Sequence, residues 1–270
     1  LAKGRRQKEA SAPSDPAKSF QSLELRNVSF RYPDSEDYVL RDINLTIHAN
    51  EKIAIVGANG AGKTTLIKLI LGLYKPTRGE ILLNGMPVQS RSFEEHIRYF
   101  SAVFQDCSLL DYSVAENIAL DGQFSAERIQ EILGRLHLDR KMESLKNGIE
   151  TSVTRNLDAD GADMSGGEKQ RLMIARALYK DAPVYLFDEP TSALSAAGEY
   201  EIYRSFAQLT EDKTVLYISH RLASCRLCTR ILFLEDGGVM EDGGFEELME
   251  NKGGFAEMYE TQAACYRQEA

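Results

Sequence analysis

Gly57–Thr65 reads Gly-Ala-Asn-Gly-Ala-Gly-Lys-Thr-Thr, and no other stretch limits what the chain can fold into so strongly. It fits G-x-x-x-x-G-K-[ST] with Gly57, Gly62, Lys63 and Thr64 at the fixed positions. Lys52–Val56 before it is a short apolar, β-branched run that reads as a buried strand. Thr64–Gly72 after it carries Leu66, Ile67, Leu69, Ile70 and Leu71 and reads as a helix ended by Gly72. Strand, glycine loop and helix together aim backbone N–H groups and a helix N-terminus at one anion. The glycines let the backbone wrap closely around phosphate oxygens at dihedrals a side chain would forbid. A glycine turn matching the pattern by accident would lack the flanking elements; here both are present. The stretch is read as a phosphate-binding loop. Asn59, Gly60 and Thr65 complete its lining, Lys63 neutralises the outer phosphates, and the Thr64 hydroxyl is placed for Mg²⁺.

A chain of 270 residues can bury a large core and could hold about two domain-sized units. Its 43% apolar and 27% charged residues are those of an ordinary globular protein. The net charge of −9 argues against nucleic acid as a main partner, because phosphate backbones repel an acidic surface. No apolar run approaches the ~18–20 residues needed to span a bilayer. No secretory signal opens the sequence, so as it stands it reads as cytosolic. Cys225 and Cys228 have C-x-x-C spacing but lack a second pair or a suitably placed histidine, and read as inert or buried thiols.

Residues 1–20 are basic, then rich in Ala, Ser and Pro, and read as a tether. Leu23–Tyr32 alternates Leu23, Leu25, Val28 and Phe30 with polar residues and stops at Pro33, as a strand with one buried face does. Strands are also expected at Val39–Thr46, Glu80–Leu83, Tyr99–Phe104, Val184–Phe187, Thr214–Ile218 and Ile231–Leu234. Asn84-Gly85 is a hairpin-type turn. From about Ser113 to Leu145 the texture is helical, with Ile129, Ile132, Leu133 and Leu136 on one side of Ala126–Leu136; this reads as a helical insertion. Glu168–Tyr179 is a further helix, and short helices close the chain around Phe245–Met249 and Phe255–Tyr259. Strands alternating with helices imply a largely parallel sheet covered on both faces.

Val184–Phe187 delivers Asp188 and Glu189 at a strand end that, in a parallel sheet, lies beside the phosphate loop. Asp188 would hold Mg²⁺ and Glu189 would polarise the attacking water. A solvated acidic strand end is the bland alternative, weakened by the loop and by Pro190-Thr191 following. Met164-Ser165-Gly166-Gly167-Glu168 opens a helix. Ser165 and Glu168 form a capping box, but that does not explain Gly166 and Gly167, which suit a second phosphate-binding surface. Two such surfaces in one chain suggest ATP held between two copies. Tyr32 could stack on adenine, or be an aromatic at a strand edge. Gln105 could reach Mg²⁺ or the attacking water, or be a solvated strand end. His220 could meet the γ-phosphate, or be structural.

These residues, in this order, resemble the nucleotide-binding domain of an ATP-binding cassette (ABC) transporter, from roughly Leu23 to the C-terminus. The resemblance implies Tyr32 as the adenine-stacking aromatic, Gly57–Thr65 as Walker A, Gln105 as the Q-loop and Met164–Glu168 as the LSGGQ-like sequence. Tyr185–Asp188 becomes Walker B, Glu189 the catalytic glutamate and His220 the switch histidine. Val28–Pro33, Ile218–Leu222 and Gly243–Leu248 are similar to exporters, in which this domain follows a membrane domain on the same polypeptide. The implied fold is an α/β P-loop NTPase (RecA-like) core with a mainly parallel sheet, an N-terminal antiparallel β-subdomain and a helical subdomain at about 106–180. Residues 1–20 would be the linker and 21–270 the domain. Expected cofactors are ATP and Mg²⁺. Expected partners are a second nucleotide-binding domain and a fused membrane domain, with the chain at the cytoplasmic face of the cell membrane.

The sequence departs from the pattern in places. Glu168 stands where Gln is usual, Met164 where Leu is, and Ser195 where Asp is. Thr151–Asp163 is longer than in typical exporters and lacks their Gly-Glu-x-Gly. A carboxylate at Glu168 should weaken nucleotide binding unless it turns back onto the cap. The departures at Glu168 and Ser195 keep open a catalytically quiet half of an asymmetric heterodimer; Glu189 and His220 count against it. A nucleic-acid ATPase is disfavoured by the acidic charge.

Overall fold

The computed structural model describes residues 19–105, 108–120, 123–156, 158–190, 208–219 and 222–268. Its centre is a six-stranded sheet in the order β10-β9-β3-β8-β7-β6. The parallel members are β3 (Lys52–Gly57), β6 (Phe100–Val103), β7 (Val184–Asp188), β8 (Thr214–Ile218) and β9 (Arg230–Glu235). Every residue of β7 and β8 is buried, as is Ile53–Gly57 of β3, because continuous apolar runs are what a sheet covered on both faces demands. β10 (Gly238–Gly243) returns antiparallel on β9 through Asp236 and Gly237, with φ of 48° and 79°. Positive φ at both central residues is the tight-hairpin conformation that matches strand twist.

A second, antiparallel sheet runs β2-β1-β4-β5, from β1 (Ser22–Phe30), β2 (Leu40–His48), β4 (Arg78–Leu83) and β5 (Met86–Pro87). The alternation in β1 buries Leu23, Leu25, Val28 and Phe30 together with Ile43 and Ile47 of β2. The same core takes Ile53 and Ile55 of β3 and Leu66, Ile67, Leu69 and Ile70 of α1 (Lys63–Ile70). Asn84 and Gly85, with φ of 52° and 73°, close the β4–β5 hairpin as the sequence predicts. At the far edge the backbone N–H of Arg41 donates to the Gly237 carbonyl at 2.8 Å, joining the antiparallel sheet to the β9–β10 turn.

Between β6 and β7 the chain supplies α3 (Val114–Ala119), α4 (Ala126–Arg135), α5 (Asp139–Ser144) and α6 (Gly166–Lys180). Ile129, Ile132 and Leu133 of α4 pack with Leu172, Met173 and Ile174 of α6 in a second core that also covers Tyr185 and Phe187. Asn117 is fully buried there. Its amide donates to the carbonyls of Leu110, Tyr112 and Ser113, and its carbonyl oxygen accepts from Leu110 and Arg176. A buried amide must find such partners or forfeit about 1–3 kcal/mol per orphaned group, so α3 and α6 are fixed to each other.

The structure corrects three readings. β10 and the short α2 (Phe93–Ile97), capped by Ser92 and Glu95, were not expected. The last helix is not confined to Phe255–Tyr259 but is α8, Gly254–Gln268, following α7 (Phe245–Asn251). Phe245, Leu248 and Phe255 of these helices seal the remaining face of β3 and β9. Cys225 is buried there, and Cys228 beside it is a free thiol. No helix among the described residues is long and apolar enough to cross a membrane.

Candidate functional site

The phosphate loop leaves β3 at Gly57, whose φ is 145°. A Cβ there would stand 2.1 Å from the Leu234 carbonyl oxygen, on the neighbouring strand β9. Gly62, at φ 98°, caps α1; a Cβ on it would meet a Leu40 methyl at 2.6 Å and the Val39 carbonyl oxygen at 3.0 Å. Gly60 also has positive φ, 83°, but faces open space. Asn59 and Gly60 are exposed at the tip, and Thr64 is half-buried in the first helical turn.

Lys63 is 6% exposed, and its ammonium donates to the carbonyls of Gly57 and Ala58 at 2.8 and 2.9 Å. Burial lowers its pKa, while the charges of Glu189 and Asp188 act to raise it; burial prevails. Asp188 is 3% exposed at the last position of β7. Glu189 follows at φ 50°, a conformation uncommon outside glycine, and its N–H donates to the Ile218 carbonyl at 3.1 Å. Gln105 is exposed just past β6. Because β3, β6 and β7 are parallel, Gly57, Gln105 and Asp188 all lie at the carboxyl ends of their strands, where ligands bind in such folds. His220 lies outside the described residues.

Tyr32 shares a hydrogen bond of 3.1 Å with the Thr65 hydroxyl. Its ring packs edge-on against Phe30 and Tyr74, with centroids 5.0 and 5.3 Å away. The aromatic is thereby tied to α1 beside the loop. Sequence reasoning missed Tyr38. With Arg41, Asn59, Gly60 and Asp236 it lines a cleft of about 470 Å³ beside the loop. The guanidinium groups of Arg31 and Arg78 lie 5.8 and 5.4 Å from its ring centroid. A second tyrosine in the charged stretch after Pro33 was the available signal.

Ser165 caps α6 in extended conformation, with Gly166 and Gly167 as the first helical residues. The Ser165 N–H donates to Oε2 of Glu168 at 2.7 Å, and the Glu168 N–H donates to the Ser165 hydroxyl at 3.3 Å. Oε1 of Glu168 lies 3.2 Å from the Lys141 ammonium. The carboxylate is turned back onto the cap, the condition under which the sequence reading tolerates an acid here. Burial alone would raise its pKa, but the Ser165 amide, the Lys141 ammonium and the Ser165 hydroxyl outweigh burial and hold it below the usual carboxylate range. The start of α6 and the phosphate loop belong to different cores: α1 packs in the first, α6 in the second. The glycine loop and the Ser165 turn are thus carried by separate layers of one chain.

Comparison with known proteins shows the family. The family described as ABC transporter matches residues 40–192. An ATP-dependent lipid A-core flippase of Alkalilimnicola ehrlichii is 40% identical over 242 residues, covering 89% of this chain and 40% of the flippase. The subtilin transport ATP-binding protein SpaT of Bacillus subtilis is 34% identical over 244 residues, again 89% of this chain and 40% of the relative. The chain therefore spans about two-fifths of the length of these curated relatives. Among solved structures, that of a bacterial Atm1-family ABC exporter with ATP bound aligns with a TM-score of 0.83 and 32% identity, covering 94% of this chain and 44% of the exporter.

Proposed function

This chain belongs to the ABC transporter family, and from that premise we propose that it is the ATP-binding and ATP-hydrolysing motor domain of an exporter. The observation that carries the reading is Lys63, buried in a loop whose Gly57 and Gly62 leave no room for a Cβ, on the side of the sheet where β7 ends in Asp188. Gly57, Asn59, Gly60, Gly62, Thr64 and Thr65 form the cradle, and α1 offers its N-terminus to the phosphates. The Lys63 ammonium exchanges its loop carbonyls for phosphate oxygens. Tyr32 carries the base.

Thr64, Gln105 and the buried Asp188 are an oxygen donor set of the kind Mg²⁺ takes, and they are the residues that would hold it. Bound there, the ion supplies charge neutralisation at the outer phosphates. Glu189 orients the attacking water and accepts its proton, and His220 hydrogen-bonds the γ-phosphate. Most of the rate enhancement is positioning and electrostatic.

Ser165, Gly166 and Gly167 of a second nucleotide-binding domain cover the same triphosphate, so ATP closes the pair and hydrolysis reopens it. The chain works at the cytoplasmic face of a membrane, fused to a membrane domain, with residues 1–20 as linker and 21–270 as the motor domain; about 106–180 form its helical subdomain. The test is Glu189→Gln. It is expected to bind ATP, lose turnover and accumulate as a closed dimer on sizing columns with MgATP; wild-type turnover would sink the assignment. Hydrolysis by the homodimer, compared with mixed partners, separates an active motor from a quiet half of a heterodimer.

A further inference from the structure

Glu168 brings a carboxylate to the helix start that approaches a triphosphate when two copies close on ATP. A negative charge there repels phosphate through the same field that would otherwise attract it. The cap accounts for one carboxylate oxygen: Oε2 accepts the Ser165 N–H at 2.7 Å. It does not account for the other. Oε1 is met by Lys141, which reaches across from α5 to 3.2 Å. The two side chains are 28% and 22% exposed, enough shielding from solvent for the pairing to matter more than an ordinary surface ion pair.

We propose that Lys141 is a positioning residue for the closing of two copies on ATP. Its ammonium cancels the charge of Glu168 and keeps the carboxylate off the face presented by Ser165, Gly166 and Gly167. The acid at this position is therefore a member of a neutral pair, and the pair stands in for a neutral side chain. A simpler role for Lys141 is as a tie between α5 and α6. The two roles differ in one respect: a tie made by this ion pair is lost in Glu168→Gln as in Lys141→Met, so both should close less readily than the parent, whereas charge cancellation leaves Glu168→Gln closing at least as readily, with no charge left to cancel.

The inference rests on the reading that ATP is held between two copies. The experiment measures, by sedimentation of the Glu189→Gln chain, the MgATP concentration giving half-maximal dimer. Lys141→Met is expected to raise it about 3- to 10-fold, the scale of a partly buried charge at a helix start. In a Glu168→Gln background the same change should move it by less than about twofold, and Lys141→Arg should retain the parent value. In the hydrolytically active chain KM for ATP should rise with kcat little altered. Binding of a fluorescent ATP analogue to dilute monomer should not change.

Equal losses in both backgrounds, or a Glu168→Gln chain that itself closes less readily than the parent, would reduce Lys141 to a tie, and no loss in either would leave it without a role; each of these outcomes overturns the proposal. A parent chain with Lys141 and Glu168 intact that forms no dimer with MgATP would instead overturn the two-copy reading, and the inference with it.

Discussion

Gly57 and Leu234 approach so closely that a single methyl group on Gly57 would stand 2.1 Å from the Leu234 carbonyl oxygen. The first glycine of the phosphate loop is therefore also a packing residue, holding β3 against β9. Gly60 has positive φ but faces open space.

The two glycines should separate stability from binding. Gly57→Ala combines overpacking with an unfavourable backbone and is expected to lose upwards of about 3 kcal/mol of stability. Gly60→Ala should lose only about 1–2 kcal/mol and remain folded with weakened nucleotide binding. Urea denaturation with parallel nucleotide titration checks both; comparable stabilities for the two variants would contradict the packing argument.

Tyr32 joins its hydroxyl to Thr65 while its ring lies against Phe30 and Tyr74. Tyr32→Phe removes one hydrogen bond and should lower stability by about 0.5–1.5 kcal/mol while leaving ATP affinity close to wild type. Tyr32→Ala removes the ring and should weaken binding by about 1–3 kcal/mol, the range for base–aromatic stacking. Calorimetric titration at fixed Mg²⁺ distinguishes the two, and an unaffected Tyr32→Ala would remove the residue from the site.

Glu168→Gln should keep the cap, because the amide oxygen can still accept from Ser165, and activity should be equal or higher. A collapse in turnover would show that the acid itself is required. Stability should respond differently. The folded chain holds this carboxyl below its ordinary value of 4.5. Its contribution is therefore present above the unfolded pKa and lost as pH falls through the lower folded one. The stability advantage of wild type over Glu168→Gln should persist from pH 7 to about 5 and vanish in stronger acid, followed by denaturant midpoints across that range.

Burial pushes the Cys228 thiol up to about 12, only partly offset by Lys52, and Cys225 is 1% exposed. Alkylation of native protein at pH 8 should label both at least about 100-fold more slowly than in denaturant, since the thiolate is the reactive form. Rapid labelling of either, read by peptide mass mapping, would reopen a redox role for the C-x-x-C pair.

The elements that sequence periodicity exposed are those with strong apolar patterns. β1 alternates, β3, β7 and β8 are apolar throughout, and α4 carries its apolar residues on one side, so each is legible from local composition. β10 was not, because Gly-Val-Met-Glu-Asp-Gly neither alternates nor sinks into the core; its pairing with β9 creates it. The α2 helix was missed because it is short, although Ser92 and Glu95 form a capping box that could have announced it. Within the candidate site, residue types and spacing marked the glycine loop, the Asp188-Glu189 pair and the Ser165 turn. The pairing of Lys141 with Glu168 left no such trace, since it depends on how α5 is folded against α6. His220 and Ser195 fall outside the described residues.

The N–H bond from Arg41 to Gly237, together with the seat of Leu40 against Gly62, fastens the two sheets to each other at the rim of the phosphate loop. The same two sheets also share the first core and are bonded again at their other end, where Arg230 donates to the Thr46 carbonyl at 2.8 Å. Of these joints only the one at Arg41 adjoins Gly62, so a shift of β2 there would press Leu40 on the residue that caps α1.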